Sequence, residues 1–264
     1  MMQKIVFFLI LITGLQPYAQ TKDIRPVLLS SVPTESVVFI GNDPFGNTYT
    51  IKDNEFRKTN RNQQFQYRNL SFGTIKQVDL QNPLQLVLYY KTFNAAVLLD
   101  NQLNEIQKIN FSETNPELFP QAVSLASQNR LWLFDLNSQK LGLYDIFKNT
   151  FTAISTPIKD AIQQYQSDYN YFYWVDVRNN CYAATIFGKI SFLGSVPAFD
   201  QLQFISPKQI LFQKDNRLFL YDLENAATIN IVVPEKSLES FYYKEQILAT
   251  FTNNEIRNYK ITLP

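Results

Sequence analysis

Histidine is missing from the 264 residues altogether, which removes Ser-His-Asp and Cys-His catalysis and most zinc, copper and haem sites in one step. Cysteine occurs once, at Cys181, so no internal disulfide can form and stability has to come from packing. That thiol opens the apolar segment CYAATIF, which makes it a buried, inert side chain rather than an intermolecular bridge. Glycine is scarce at seven residues, and neither GxGxxG, GxxxxGK[ST] nor GxSxG occurs. Phosphate loops and a serine nucleophile elbow are therefore excluded. The Asp-rich spacing of an EF-hand is absent too, and no cofactor or metal is expected.

Long apolar runs are equally rare. The single one, Ile5 to about Leu15, follows Lys4 and precedes Gln16-Pro17 and the small residue Ala19. As a helix it would span only ~16 Å against a hydrocarbon core of ~30 Å. A positive start, a short apolar core and a small residue predict a secretory signal peptide over 1–19, cut after Ala19. No cysteine lies near the cut, so a diacylated lipoprotein is not expected. Residues 20–264 then form a single domain with no transmembrane segment, exported to the periplasm, the outer membrane or the medium. Removing Lys4 leaves 23 basic side chains against 23 acidic ones. A neutral chain offers no electrostatic case for nucleic acid or an anionic membrane surface.

What the chain does contain is 22 Phe and 15 Tyr, arranged in a unit of roughly forty residues that recurs to the C-terminus. QILFQKDNRLFLYDLENAATINIVVP (209–234) and RLWLFDLNSQKLGLYDIFKNTFTAISTP (130–157) show it best. Repeats of this length made of strands alone predict an all-β fold, a β-propeller of six four-stranded blades. The units start near Ser36, Thr74, Gln121, Ala161, Gln201 and Leu238. Seven blades would need extra strands within 101–129, and a two-sheet sandwich or irregular barrel is the alternative. Second and third strands pair across short polar links such as NSQ, RNN and KDN, which read as hairpins. They are apolar almost without a break, as befits strands covered on both faces. Blade one departs most, with its strands near GNTYTIKD and NEFRKTN. The sixth unit stops at KITLP, one strand short, while an orphan apolar strand sits at 24–33. Val27–Val32 is therefore expected to supply the outer strand of the last blade, burying Leu28 and Leu29 for about 2 kcal/mol each.

Paired carboxylates are the catalytic arrangement the composition permits. Asp79, Asp168 and Glu239 lie in or beside the predicted inner strands, where acids from different blades converge on a metal or a glycosidic oxygen in some enzymes. The bland reading, which the residue pattern favours, is that they cap strand ends. Asp135, Asp145 and Asp222 recur after aromatic residues, once per strand end, and that periodicity argues for turn-capping. The aromatics Tyr89, Tyr90, Trp132, Tyr171, Tyr173, Trp174, Tyr242 and Tyr243 are candidates for stacking on sugars or anchoring a partner. Their alternation within strands makes core packing the competing role.

Two resemblances add to this reading. The Phe-Asp-Leu, Tyr-Asp-Ile and Tyr-Asp-Leu strand ends resemble the Trp-Asp endings of WD-type blades. The leader, its Ala-Gln junction and NPLQLVLYYKTFNAAVLLDNQLNEI (82–106) resemble exported β-propeller proteins of Bacteroidetes-type bacteria, which implies an outer-membrane or secretion-machinery neighbour. The expected function is a non-catalytic, protein-binding accessory subunit of a cell-envelope assembly. The alternative is a carbohydrate-active or lactone-cleaving propeller using Asp79, Asp168 and Glu239, with calcium. Calcium-dependent lactonase propellers also rely on a histidine that this chain lacks. A third reading is a passive glycan binder.

Overall fold

Aromatic and β-branched runs separated by polar turns fold into 24 strands in the computed structural model, which describes residues 23–34, 37–253 and 255–264. The expected signal peptide and the expected start of blade one at Ser36 lie outside the described residues. Strand β1 (Val27–Pro33) precedes the first blade, which comprises β2 (Val38–Asn42), β3 (Thr48–Lys52), β4 (Glu55–Thr59) and β5 (Gln64–Tyr67). Blade two holds β6 (Gln77–Asp79), β7 (Leu86–Tyr90), β8 (Ala95–Leu99) and β9 (Glu105–Asn110), followed by the single-turn helix α1 (Phe111–Thr114). Blade three is β10 (Pro120–Ala126), β11 (Arg130–Asp135), β12 (Lys140–Asp145) and β13 (Thr150–Ala153). Blade four is β14 (Ile162–Ser167), β15 (Tyr171–Asp176), β16 (Asn180–Thr185) and β17 (Ile190–Ser195). Blade five is β18 (Gln201–Phe204), β19 (Gln209–Lys214), β20 (Arg217–Asp222) and β21 (Ala227–Ile231). The last blade has β22 (Ser240–Lys244), β23 (Ile247–Thr252) and β24 (Glu255–Lys260) from the C-terminal end of the chain.

Each blade is a four-stranded antiparallel sheet, and the sixth is completed by β1 in the order β1-β24-β23-β22. The protein is thus a six-bladed β-propeller closed by its N-terminal strand, with blade boundaries within a few residues of those the repeat predicts. Region 101–129 holds β9, α1 and β10, with no additional blade. The hairpin tips carry left-handed residues, among them Asn94, Gln139, Asn179 and Asn216, a conformation that asparagine tolerates better than most side chains. Asp145 accepts from the Phe147 and Lys148 amides, and Asp222 from those of Glu224 and Asn225. These turn N–H groups hold both carboxyls below the usual aspartate range.

Packing between blades supplies the core. Leu131, Leu133 and Tyr144 of blade three interlock with Val87, Tyr89 and Leu98 of blade two, and four of the other five seams are filled in the same manner. Cys181 lies inside the seam of blades four and five, where burial, with Asp176 nearby, pushes its thiol up to about 12. It is a packing residue.

The closing strand differs from expectation in one respect. β1 pairs with β24 from Val27↔Lys260 to Pro33↔Glu255, yet Leu28 and Leu29 are each 54% exposed. Their side chains contribute little burial. Closure rests instead on backbone hydrogen bonds. Just upstream, Ile24 exchanges bonds of 2.9 Å with Asn230 and Val232, tying the same segment to blade five.

Candidate functional site

The inner strands β2, β6, β10, β14, β18 and β22 surround the axis, and each presents one backbone edge to the channel. An unpaired edge of this kind is costly once water is excluded. Glutamine solves the problem here, since a side-chain amide carries the same donor and acceptor as a peptide group. Gln201 donates to the Phe241 carbonyl at 2.9 Å and accepts from the Phe241 amide at 3.0 Å. Gln203 does the same to Tyr243, and Gln166 to Phe204. Gln164 donates to the Leu202 carbonyl. The partners advance by constant offsets of 38 or 40 residues, so β14, β18 and β22 run in the same direction along the axis.

The channel opens to a cavity of about 580 Å³ where the inner strands end. Asp79 sits inside it. Its carboxylate accepts from the Leu125 amide at 2.6 Å and the Gln81 amide at 2.8 Å. Burial raises its pKa, against the pull of those two amides and of Lys244. Lys244 reaches across the mouth to donate to the Leu80 and Gln81 carbonyls, 3.1 Å each, and burial lowers its pKa. Tyr165 accepts from the Val123 amide and donates to Gln77, with its phenol pKa raised by burial. Tyr242 lies against Gly41, where a Cβ would come within 2.9 Å of the ring. That contact lets blades six and two converge over blade one.

Asp79 has a measurable signature. A carboxyl whose folded pKa is raised contributes stability below its unfolded pKa, about 3.9, and loses it as pH rises through the folded value. Asp79→Asn does not titrate, so its melting temperature relative to wild type should climb from about pH 4 upward and then level off. The lowered aspartates of the turns are common to both proteins and cancel in the difference. A difference that stays flat from about pH 4 to 8 would refute the assignment.

The three candidate acids do not share a site. Asp168 follows the end of β14 at the same mouth as Asp79, but its carboxylate accepts from the Asn170 and Tyr171 amides at 2.8 Å and so caps a turn. Glu239 precedes the start of β22 and is exposed at the opposite end of the channel. Among the described residues no three acids approach closely enough to hold a metal ion. The direction of the inner strands separates them: two acids end a strand and the third begins one.

The aromatic candidates divide by burial. Tyr89, Tyr90, Trp132, Tyr173 and Trp174 are buried between blades, because strands apolar on both faces have neighbours on both. Tyr242 and Tyr243 are half-buried along the channel, and Tyr171 alone of the eight is exposed. Apolar side chains that reach solvent lie on outermost strands, such as Val27, Ile106 and Phe192, in turns at the face opposite the channel mouth, such as Leu70, Phe93, Phe119, Leu136 and Val177, and in turns at the mouth face. Phe45, Leu84 and Tyr169 lie between first and second strands; Phe147 and Phe187 lie between third and fourth strands. Chain direction places both kinds of turn on the face that carries the channel mouth. Phe147 is 75% exposed and Phe187 88%. Phe45 and Leu84 share a hollow of about 330 Å³ with Phe65 and Pro83. Sequence reasoning missed these positions, although a phenylalanine inside a polar hairpin turn, as in DPFGN and DIFKN, has no core to enter.

The architecture defines the class, a six-bladed β-propeller whose inner strands β14, β18 and β22 are bridged by glutamines. No protein-family model and no curated protein matches the chain. Solved structures do. Virginiamycin B lyase from Staphylococcus aureus is similar over 92% of this chain and 96% of its own, with a TM-score of 0.58 and 11% identity. The WD40 β-propeller domain of Doa1 is similar over 84% and 77%, with a TM-score of 0.54 and 10% identity. BBS1N, solved in complex with ARL6DN, is similar over 88% and 79%, with a TM-score of 0.55 and 9% identity. At these identities the likeness establishes the fold alone.

Proposed function

We propose that this protein is a non-catalytic, exported β-propeller that binds protein partners as an accessory subunit of a cell-envelope assembly. The observation that carries the reading is the set of turn tips at the channel-mouth face, Phe45, Leu84, Phe147, Tyr169 and Phe187, which includes Phe187 at 88% exposed and Phe45 and Phe147 at 75%. Large apolar and aromatic side chains standing in solvent on a rigid scaffold suit protein docking. The complexed BBS1N shows a protein of similar fold engaging a partner. The leader-like N-terminus and the resemblance to exported propellers support the envelope location. Enzymatic use of the channel fares worse, because the Asp79 and Asp168 carboxylates are engaged by backbone amides. The lyase has a catalytically inactive histidine-to-alanine variant, and this chain has no histidine to play such a part.

Affinity purification of the tagged protein from its native envelope, with mass spectrometry, tests the proposal. The wild type should recover a stoichiometric partner, and Phe147→Glu with Phe187→Glu should lose it at an unchanged melting temperature, since both side chains stand in solvent. Recovery of the protein alone, or a partner indifferent to both substitutions, would overturn it.

A further inference from the structure

Blade one reads differently from its neighbours, and the difference has a structural counterpart. In blade two, the side chains that face blade one are Leu86, Leu88, Tyr90, Val97 and Leu99, all buried. The register is the same in blade one, where Thr48 pairs with Thr59 and Thr50 with Arg57, as Leu86 pairs with Leu99 and Leu88 with Val97. At these positions blade one therefore carries Thr48, Thr50, Lys52, Arg57 and Thr59, and they face blade six. Its other face, Tyr49, Ile51 and Phe56, packs conventionally against blade two.

The seam between blades six and one is consequently unfilled. Its buried apolar cluster is small, consisting of Phe39, Ala249, Phe251 and Ile256. Outside that cluster lies a cleft of about 1090 Å³, the size of a generous ligand pocket. Its two walls differ. The blade-six wall offers Val32 and Pro33 over the buried Ile256, together with Ser30, Ser31 and Asn258; the blade-one wall offers threonines with Lys52, Arg57 and Arg61. No acidic side chain lines the cleft among the described residues. Arg57 is paired with Glu55 at 2.7 Å, whereas Lys52 and Arg61 have no carboxylate within 4.0 Å among the described residues.

We infer that this cleft is a second recognition site, which takes an extended acidic segment of a partner protein with acidic and apolar residues in alternation. A strand presents successive side chains to opposite sides, so such a segment would set its apolar residues on the blade-six wall and its carboxylates against Lys52 and Arg61. The site goes beyond the turn-face docking proposed above and shares only Phe45 with it.

Fluorescence anisotropy of the full exported chain with a labelled dodecapeptide alternating glutamate and valine tests the inference. A lysine–valine peptide serves as the control. The acidic peptide should bind saturably and more weakly in high salt, and Lys52→Glu with Arg61→Glu should weaken it at least tenfold. Phe147→Glu with Phe187→Glu should leave this binding unchanged, which separates the cleft from the turn face. If the double cleft variant melts lower, the exposed Arg61→Glu alone carries the test and should weaken binding several-fold. Absence of binding, equal binding of both peptides, or indifference to the cleft substitutions would each overturn the inference.

Discussion

A chain beginning at Val37 should melt about 10–20 °C below one beginning at Gln20. The shortened chain lacks β1, so β24 becomes a bare edge and the ring loses its clasp. Six residue pairs join β1 to β24, and Ile24 adds its two bonds to blade five. At about 1 kcal/mol net per backbone hydrogen bond, this is on the order of 5 kcal/mol. Whole domains are stable by only about 5–15 kcal/mol, so the loss is a large fraction of the total. A domain of this size shifts by about 2–4 °C per kcal/mol, which gives the stated range. The bare edge is also a template for association, so the shortened chain should aggregate at lower concentration. Leu28→Ala with Leu29→Ala should, by contrast, move the melting temperature by only a few degrees, because both side chains are more than half exposed. Thermal melts of the three proteins decide the matter. A truncation shift below about 3 °C would show that closure does not depend on β1.

Trp132→Ala should cost about 3–5 kcal/mol, a comparable fall in melting temperature from a single side chain. Trp132 is fully buried in the seam of blades three and four, tilted against Phe172, with Leu141, Leu143 and Trp174 in the same cluster. Truncation leaves a cavity that neighbours on two rigid blades cannot collapse to fill. The substitution also frees the Asp168 carbonyl, which accepts from the indole Nε1 at 2.9 Å. The turn that Asp168 caps stands at the channel mouth, so its amides should exchange faster with solvent in the variant. Trp132→Phe retains most of the packing and loses the hydrogen bond, and should cost about 1–2 kcal/mol. Melting curves with hydrogen exchange at 168–171 distinguish the two effects. Equal stability of the alanine and phenylalanine variants would show that packing is not what this residue contributes.

Much of the fold was legible in the chain before any coordinates. Strands covered on both faces must be apolar throughout, and runs such as RLWLFDL and RLFLYDL announced blades by that property alone. Asp145 and Asp222 were readable as turn caps because they recur once per strand end. Even the open seam left a trace, since TYTIK alternates polar and apolar residues where its counterparts do not. Alternation means two faces with different surroundings, and in the structure the polar face, Thr48, Thr50 and Lys52, borders the cleft.

The candidate site was legible only in part. Asp79, Asp168 and Glu239 all flank inner strands in the sequence, but a channel has two ends, and strand direction assigns the acids to different ones. Tyr89 and Trp174 look identical in sequence to exposed anchors, because a ring in a strand does not declare whether the next blade covers it. By itself the sequence determined the repeat, the blade count and the closing strand, since each follows from local periodicity and from turn chemistry. The tertiary structure decided which side chains see solvent, which glutamines bridge the inner strands and where the ring stays open. Those depend on neighbours some forty residues or a whole circuit away, and no local pattern encodes the distance between two faces that meet only when the ring closes.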